Sequence, residues 1–396
     1  MSVTIPRQGP PSPALTADEI SYEIRHDRDA QNPQVFARIN GELKHLPALW
    51  LRERAQSKDQ INKINQQRLF NPHELPLDLK LIKVKWCGDD QKRLMILFSD
   101  GYEGAYNIET LNHDLLPTQS LPIRKLWKSD LSYIPTYSWL ELKDPPVTLA
   151  AVKDYLQFGF LILSDTPLEK DSILKVGRHF GFIRSTNFDD YFEITSRPKS
   201  NDLAYSSIAL TPHTDNPYRE PVPGIQLLQC LLNETMGGLS TFVDSMACID
   251  VLKQKTPEGF KLLAEIPVKF EFNDAKTSLS MLRPILALDA KGNILGLHYS
   301  PRLDKLPLLE EQILQNYHHA RNILAQLLVE PTFQITLRLE PGQCILFDNC
   351  RVLHGRTTFD PTEGRRHFRG CYLDRDGPEN LFRKLHRDGI TLRKPG

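Results

Sequence analysis

The chain has 396 residues, 40% of them apolar and 25% charged, which is the composition of a globular protein with room for two domains and a sizeable core. Its 49 Lys and Arg balance its 49 Asp and Glu, so the charge favours neither nucleic acid nor an anionic membrane as a partner. The six cysteines (Cys87, Cys230, Cys248, Cys344, Cys350 and Cys371) form no CxxC pair and read as reduced core thiols of a cytoplasmic protein.

In chain order, "MSVTIPRQGPPSPALTADE" lacks the apolar stretch of a signal peptide and reads as the start of a mobile arm over residues 1–32. No apolar run approaches the roughly 18 residues that a membrane span needs. Residues 33–130 read as a small β-rich domain. There "LKLIKVKWC" (79–87) and "RLMILFSDGYEGAYNIETL" (93–111) form a hairpin pair joined by "GDDQK". A polar insert, "PALWLRERAQSKDQINKINQQRLFNPHELP", precedes them and is helical or irregular. "LSYIPTYSWLELKDPPV" reads as a linker punctuated by proline.

A larger domain then runs to the end, 131–396. "TLAAVKDYLQFGFLILSDTP" predicts a helix followed by a buried strand, and "KDSILKVGRHFGFI" a second helix. A third covers 306–329, with Leu308, Leu309, Leu314, Ile323, Leu324, Leu327 and Leu328 in one apolar stripe. The other segments are short strands, among them "GIQLLQCLL", "GLSTFVDS", "GNILGLHYS" and "QCILFDN". The fold class is mainly β with flanking helices (α+β), and the larger domain is expected to be a jelly roll, or double-stranded β-helix.

His213 and Asp215 sit in "TPHTDNPYRE", spaced so that a strand would point both side chains to one face. His354, at the end of "CILFDNCRVLH", is the best third partner. Two imidazoles and one carboxylate make the facial triad of non-haem Fe(II) oxygenases, which leaves open positions on the metal. "RRHFRGCY" follows and places an arginine where a guanidinium can clasp a dicarboxylate in bidentate fashion.

The motifs "HTDNPY", "PGIQLLQCL", "GGLSTFVD", "PGQCILFDNCRVLHGR" and "RRHFRGCYLDRD" resemble γ-butyrobetaine and trimethyllysine dioxygenases. These belong to the taurine-dioxygenase-like Fe(II)/2-oxoglutarate oxygenases, and the resemblance covers roughly 35–390. It implies Fe(II) held by His213, Asp215 and His354. It also implies that 2-oxoglutarate, as co-substrate with O₂, meets Arg366 through its far carboxylate, with Ser240 nearby. Arg365 is the adjacent alternative, which strand alternation would turn the other way. Succinate and CO₂ are the expected co-products of hydroxylating an unactivated C–H bond in a small amine-bearing or betaine-like molecule. Homodimers are frequent among the relatives.

Two departures stand out. The relatives' N-terminal domain holds a structural zinc, but Ala55, Ser57, Gln60 and Tyr102 occupy the ligand positions here. Without thiolate or imidazole no zinc is expected, and apolar contacts should hold the domain. His73 is the only imidazole near and reads as a loop residue. The relatives enclose a trimethylammonium group in aromatic faces, and Phe188, Phe192, Tyr205 and Tyr372 match those positions, with Tyr191 as a supplement. Asp202 stands where relatives carry an Asn beside the substrate carboxylate, and Arg302 lies where it could receive an acidic group. The substrate is therefore γ-butyrobetaine-like, a trimethylammonium phosphonate or a modified amino acid. Rival readings are desaturation, cyclisation or C–C cleavage by the same iron chemistry, a non-catalytic binding relic, and a metal-dependent hydrolase.

Overall fold

The computed structural model describes residues 20–26, 32–115, 121–195 and 208–392. Two compact units result, Met1–Ser120 and Leu121–Gly396, so the division falls upstream of the expected boundary near 130. No helix among the described residues is long and apolar enough to cross a membrane.

The first unit holds two antiparallel three-stranded sheets. One joins Ser21–His26, Pro33–Ile39 and Glu42–Leu46; the other joins Leu81–Trp86, Arg93–Phe98 and Glu103–Asn107. Part of the expected arm is thus a strand in register with its neighbour, Ser21 opposite Arg38 and His26 opposite Pro33. The segment 93–111 is two strands around a turn rather than one, and its end is the start of a helix, Ile108–Leu115. The polar insert begins with a short helix, Ala48–Arg52, and is otherwise irregular.

The positions matched to zinc ligands converge without a ligand set. The Ser57 and Tyr102 hydroxyls are 3.0 Å apart, Gln60 accepts a hydrogen bond from Arg52 Nη1 at 2.9 Å, and Ala55 is buried in the core. Arg52 occupies the middle. Its Nε donates to Asp100 Oδ2 at 2.7 Å, and its Cζ lies 4.1 Å over the Tyr102 ring and 4.8 Å over that of Phe70. A Cβ at Gly104 would collide with the Tyr102 hydroxyl, so the glycine makes room for that ring. A hydroxyl, an amide, a phenol and a methyl group do not fit zinc. A guanidinium that bonds in its plane and stacks on its faces fills the space instead. Apolar contacts alone therefore do not account for this unit. His73 is in an exposed 3-10 turn, Pro72–Glu74.

In the second unit two sheets pack face to face. One runs Leu210–His213, Val352–Arg356, Ser240–Asp244, Gln334–Leu337. The other runs Thr136–Ser138, Phe160–Ser164, Cys344–Asp348, Ile225–Asn233, Arg366–Leu373, Phe192–Thr195. Phe160, Ile162, Cys230, Phe242, Phe347 and Phe368 fill the space between them. The larger sheet is apolar on both faces because the helices Pro145–Phe158, Ser172–Phe180 and Gly377–Arg387 cover its other side, which explains unbroken runs such as "FLILS". The smaller sheet is backed by Ser245–Lys255, Pro257–Glu265 and Glu311–Val329. This is the expected jelly roll with flanking helices.

Two local expectations fail. "LSYIPTYSWLELKDPPV" is not a linker: Thr136–Ser138 is the edge strand of the larger sheet, parallel to its neighbour. A short edge strand tolerates proline beside it, which is why the prolines misled. The third helix starts at Glu311 rather than 306, and Leu308 is fully exposed, outside the stripe.

Replacing Arg52 by Ala strands a largely buried Asp100, and full-length protein is expected to lose roughly 3–5 kcal/mol in denaturant unfolding. Arg52→Lys should recover only part of this, since an ammonium lacks the planar fork. A chelator should leave the wild-type transition of this unit in place.

Candidate active site

His213 is the last residue of its strand and pairs in register with His354 on the neighbouring strand. The two rings lie 4.4 Å apart between centroids, and His354 packs against Phe347 at 5.0 Å. Asp215 lies beyond the strand end, so strand periodicity does not aim it; hydrogen bonds do. Thr214 is turned away and locked to Tyr299 by a 2.7 Å backbone bond and a 2.8 Å bond from Tyr299 N to its hydroxyl. Asp215 N donates to Asn349 Oδ1 at 2.8 Å, while Asn349 Nδ2 donates to the Asp215 and Pro223 carbonyls. Asn216, next in the chain, takes a left-handed conformation at φ 53°, which asparagine tolerates.

One ligand atom from each of His213, Asp215 and His354 lies within 4.8 Å of the others. His213 Nε2 is 3.3 Å from Asp215 Oδ1, and His354 Nε2 is 3.9 Å from Asp215 Oδ2. His213 Nδ1 is 3.0 Å from the Thr211 carbonyl, a bond that puts the proton on Nδ1 and leaves the Nε2 lone pair facing the carboxylate. The Tyr372 hydroxyl donates to Asp215 Oδ2 at 2.7 Å.

The electrostatics prepare the same set. Burial pushes the His354 imidazole down to about 3, and the neighbouring His213 adds to this. Burial also opposes protonation of His213, but the Asp215 carboxylate beside it outweighs that and raises its pKa. Burial works against the Asp215 carboxylate, yet His354, His213 and Tyr372 together hold it well below its usual range. His354 Nδ1 is buried with no hydrogen-bond partner. A buried neutral imidazole, a directed lone pair and an anionic carboxylate are what a divalent iron takes.

His213 and Asp215 open into a cavity of about 600 Å³. Phe188, Phe192, Tyr372 and Arg302 line it, as expected. Asp202 and Tyr205 lie outside the described residues. Tyr191 does not join them; it packs under the Arg369 guanidinium at 5.4 Å, against the helix-covered face of the sheet. Tyr372 is more than a cavity wall, since its hydroxyl is spent on the Asp215 carboxylate. Phe272 and Tyr218 also line the cavity, and sequence reading missed both. Their rings stack at 5.1 Å, Phe272 meets Phe188 edge-on at 6.0 Å, and the row continues through Phe192 to Tyr372 at 6.2 and 5.3 Å.

Arg366 begins its strand opposite Asn233 and is 8% exposed. Its Nε is buried with no partner, and it makes no ion pair among the described residues. Arg365 instead points outward and pairs with Glu234 at 3.1 Å. Alternation from Arg366 puts Phe368, Gly370 and Tyr372 on the inward face, so one strand carries both the buried arginine and the phenol on the metal carboxylate. Gly238, at φ 70°, lets the loop before Ser240 approach Arg366, where an added Cβ would lie 3.3 Å from Nε. Ser240 itself is buried on its strand opposite Arg356 and does not line the large cavity.

Comparison with known proteins agrees with this geometry. Residues 113–372 match the family described as taurine catabolism dioxygenase TauD, TfdA family. The γ-butyrobetaine dioxygenase of Pseudomonas sp. (strain AK-1) is 34% identical over 348 residues, 85% of this chain and 89% of that protein. The chain belongs to the TauD, TfdA dioxygenase family. The trimethyllysine dioxygenase of Meyerozyma guilliermondii is 27% identical, over 83% of this chain and 87% of its own. A solved non-heme iron oxygenase, OrfP, in complex with Fe and alpha-ketoglutaric acid, aligns at 16% identity and a TM-score of 0.43, covering 62% of this chain and 95% of that one. The protein is a dioxygenase whose cofactor is Fe(II) and whose co-substrate is 2-oxoglutarate.

Tyr372→Phe keeps the ring but frees one oxygen of Asp215. Iron affinity is expected to fall about 10- to 100-fold in equilibrium metal titration, with folding unchanged.

Proposed function

We propose that the protein hydroxylates an unactivated C–H bond of a small amine-bearing or betaine-like substrate, releasing succinate and CO₂ from 2-oxoglutarate. The observation that carries this reading is a cavity that His213 and Asp215 share with a row of aromatic rings and with Arg302. A quaternary ammonium offers no hydrogen-bond donor, so ring faces are its natural receptor, and each contact contributes about 0.5–2 kcal/mol. The Asp274 oxygen Oδ1 is taken by the Lys276 and Thr277 amides, and Asn273 Oδ1 accepts from the Ser278 hydroxyl. That leaves the rings as the dominant surface at that end. Arg302 supplies the complementary charge for a carboxylate or phosphonate. The similarity to a γ-butyrobetaine dioxygenase points the same way.

In this reading His213, Asp215 and His354 hold the iron, and Tyr372 keeps one Asp215 oxygen occupied so that the other faces the ion. Bound iron, with 2-oxoglutarate and O₂, supplies the oxidising power for the C–H bond. Arg366 holds the far carboxylate of 2-oxoglutarate, with Ser240 from the adjacent sheet. The aromatic row and Arg302 fix the two ends of the substrate, which sets the carbon presented to the metal and limits water. Asp202 and Tyr205 are assigned to the substrate by resemblance alone. A cytoplasmic location and a homodimer complete the proposal; fractionation and light scattering at assay concentration check them.

The test is succinate formation by purified protein with Fe(II), ascorbate and 2-oxoglutarate, across γ-butyrobetaine, a trimethylammonium phosphonate and primary-amine counterparts. Stimulation by the quaternary compounds is expected, and stimulation by none of these would overturn the reading. Arg302→Ala should raise KM for an acid-bearing substrate about tenfold or more while changing kcat little. Equal KM values for variant and wild type would remove Arg302 from the site. Arg366→Ala should weaken 2-oxoglutarate binding at least tenfold with iron still bound, read by anaerobic titration.

A further inference from the structure

The strand Arg366–Leu373 carries a buried glycine, Gly370, on the face that looks into the sandwich, in alternation with Phe368 and Tyr372. Glycine is a poor strand former, and inside a strand it marks a close approach. Here a ring makes that approach. In register Gly370 stands opposite Phe192, the first residue of the edge strand Phe192–Thr195. A Cβ added at Gly370 would lie 2.5 Å from Phe192 Cε2 and closer still to Cζ. The far end of the Phe192 ring therefore occupies the space that a side chain at this position would take.

The edge strand is not free to retreat from such a Cβ. Glu193, the next residue, alternates to the opposite face and is clamped there: Arg369 Nε donates to its Oε1 at 2.9 Å, and His367 Nε2 faces its Oε2. Arg369 is anchored in turn by a 2.9 Å bond from Nη1 to the Glu169 carbonyl. Glu193 stands opposite Arg369 in register, so the clamp holds the pair directly beside Phe192 and Gly370. The ring is thus the part that gives. Its aromatic neighbours are Tyr372 at 5.3 Å and Phe188 at 6.2 Å, and the substrate cavity borders all three. A methyl group at Gly370 would push the ring by roughly 1 Å before van der Waals distance is regained, and its open side is the cavity.

We propose that Gly370 sets the size of the ammonium head group that the cavity accepts, by giving the Phe192 ring a recess into which it withdraws. This rests on the reading of the cavity as the receptor of an amine-bearing or betaine-like substrate and deepens it. With the ring withdrawn, the cavity has room for the third alkyl group of a quaternary ammonium; with the ring displaced, that room is what is lost. Gly370 acts through Phe192 and makes no contact of its own with the substrate, so it is a positioning residue. The cost of a glycine in a buried strand is offset by the ring that lies over it.

The experiment titrates γ-butyrobetaine and 4-(dimethylamino)butanoate calorimetrically into anaerobic protein loaded with Fe(II) and 2-oxoglutarate. The second compound keeps the acid and the cationic nitrogen and drops a single methyl group. Gly370→Ala is expected to weaken γ-butyrobetaine binding about tenfold or more and binding of the dimethylamine less than about threefold, with iron and 2-oxoglutarate affinities within about twofold of wild type. In the Phe192→Leu background the far ring atoms are gone, and Gly370→Ala should then change γ-butyrobetaine binding by less than about twofold. A merely structural glycine would not be rescued in this way. Unchanged γ-butyrobetaine affinity in Gly370→Ala overturns the proposal. So does an equal loss for both compounds, or a loss that persists in the Phe192→Leu background. If Gly370→Ala does not fold, the double variant decides: it is expected to fold and to bind γ-butyrobetaine as Phe192→Leu does, and failure on either count overturns the proposal. Wild-type protein that binds neither compound overturns the substrate reading of the cavity and this inference with it, whereas a failure confined to the variants sinks the role of Gly370 alone.

Discussion

The pairing of His213 with His354 across two adjacent strands is the contact on which the catalytic unit depends. A strand that slips by one residue turns every side chain to the opposite face, which would put His354 outside the sandwich and dissolve the triad. The register is correspondingly over-determined. Asn349 ties the turn before His354, where the chain crosses from the larger sheet to the smaller, to the Asp215 backbone, and Thr214 ties the other side to Tyr299. Arg351, almost wholly buried, binds Asp244 at 3.0 Å together with the Gln157 and Lys125 carbonyls, fixing the start of the same strand. Breaking a pair of this kind strands a buried charge, so Arg351 is as much part of the metal site's support as any residue that touches it.

Charge is distributed along that strand with a purpose. At His354 the surroundings keep an imidazole neutral and a carboxylate ionised, a small negative pole. Two residues on, the interior turns positive at Arg356, with Arg366 across from it. A metal cation fits the first pole, and the buried, unpartnered Nε of Arg366 leaves the second ready for a dicarboxylate. Ligand binding therefore relieves a desolvation cost already present in the fold.

Much of this was legible in the sequence because the chemistry needs particular residue types. The convergence of His213, Asp215 and His354, the opposite directions of Arg365 and Arg366, and the two sheets followed from ligand chemistry, alternation and resemblance. The misses have local causes. Asp215 lies past its strand, so its aim comes from Asn349, a tertiary partner 134 positions away that carries no pattern of its own. Phe272 and Tyr218 reach the cavity from segments outside the two main sheets, where spacing says nothing about which ring faces inward. In the first unit the loss of zinc ligands was plain, while the guanidinium that replaces them was not. Nothing in "WLRERAQ" tells that Arg52 turns inward to Asp100.

Tyr372 serves two masters: its ring walls the substrate cavity, and its hydroxyl grips a metal ligand. Any change there that reshapes the wall also disturbs the iron. Phe188, Phe192, Phe272 and Arg302 line the same cavity without a hydrogen bond to a metal ligand among the described residues, so a change there reshapes the substrate space and leaves the Asp215 contact in place. Substrate choice and iron grip are thus separable everywhere on the cavity wall except at this one phenol.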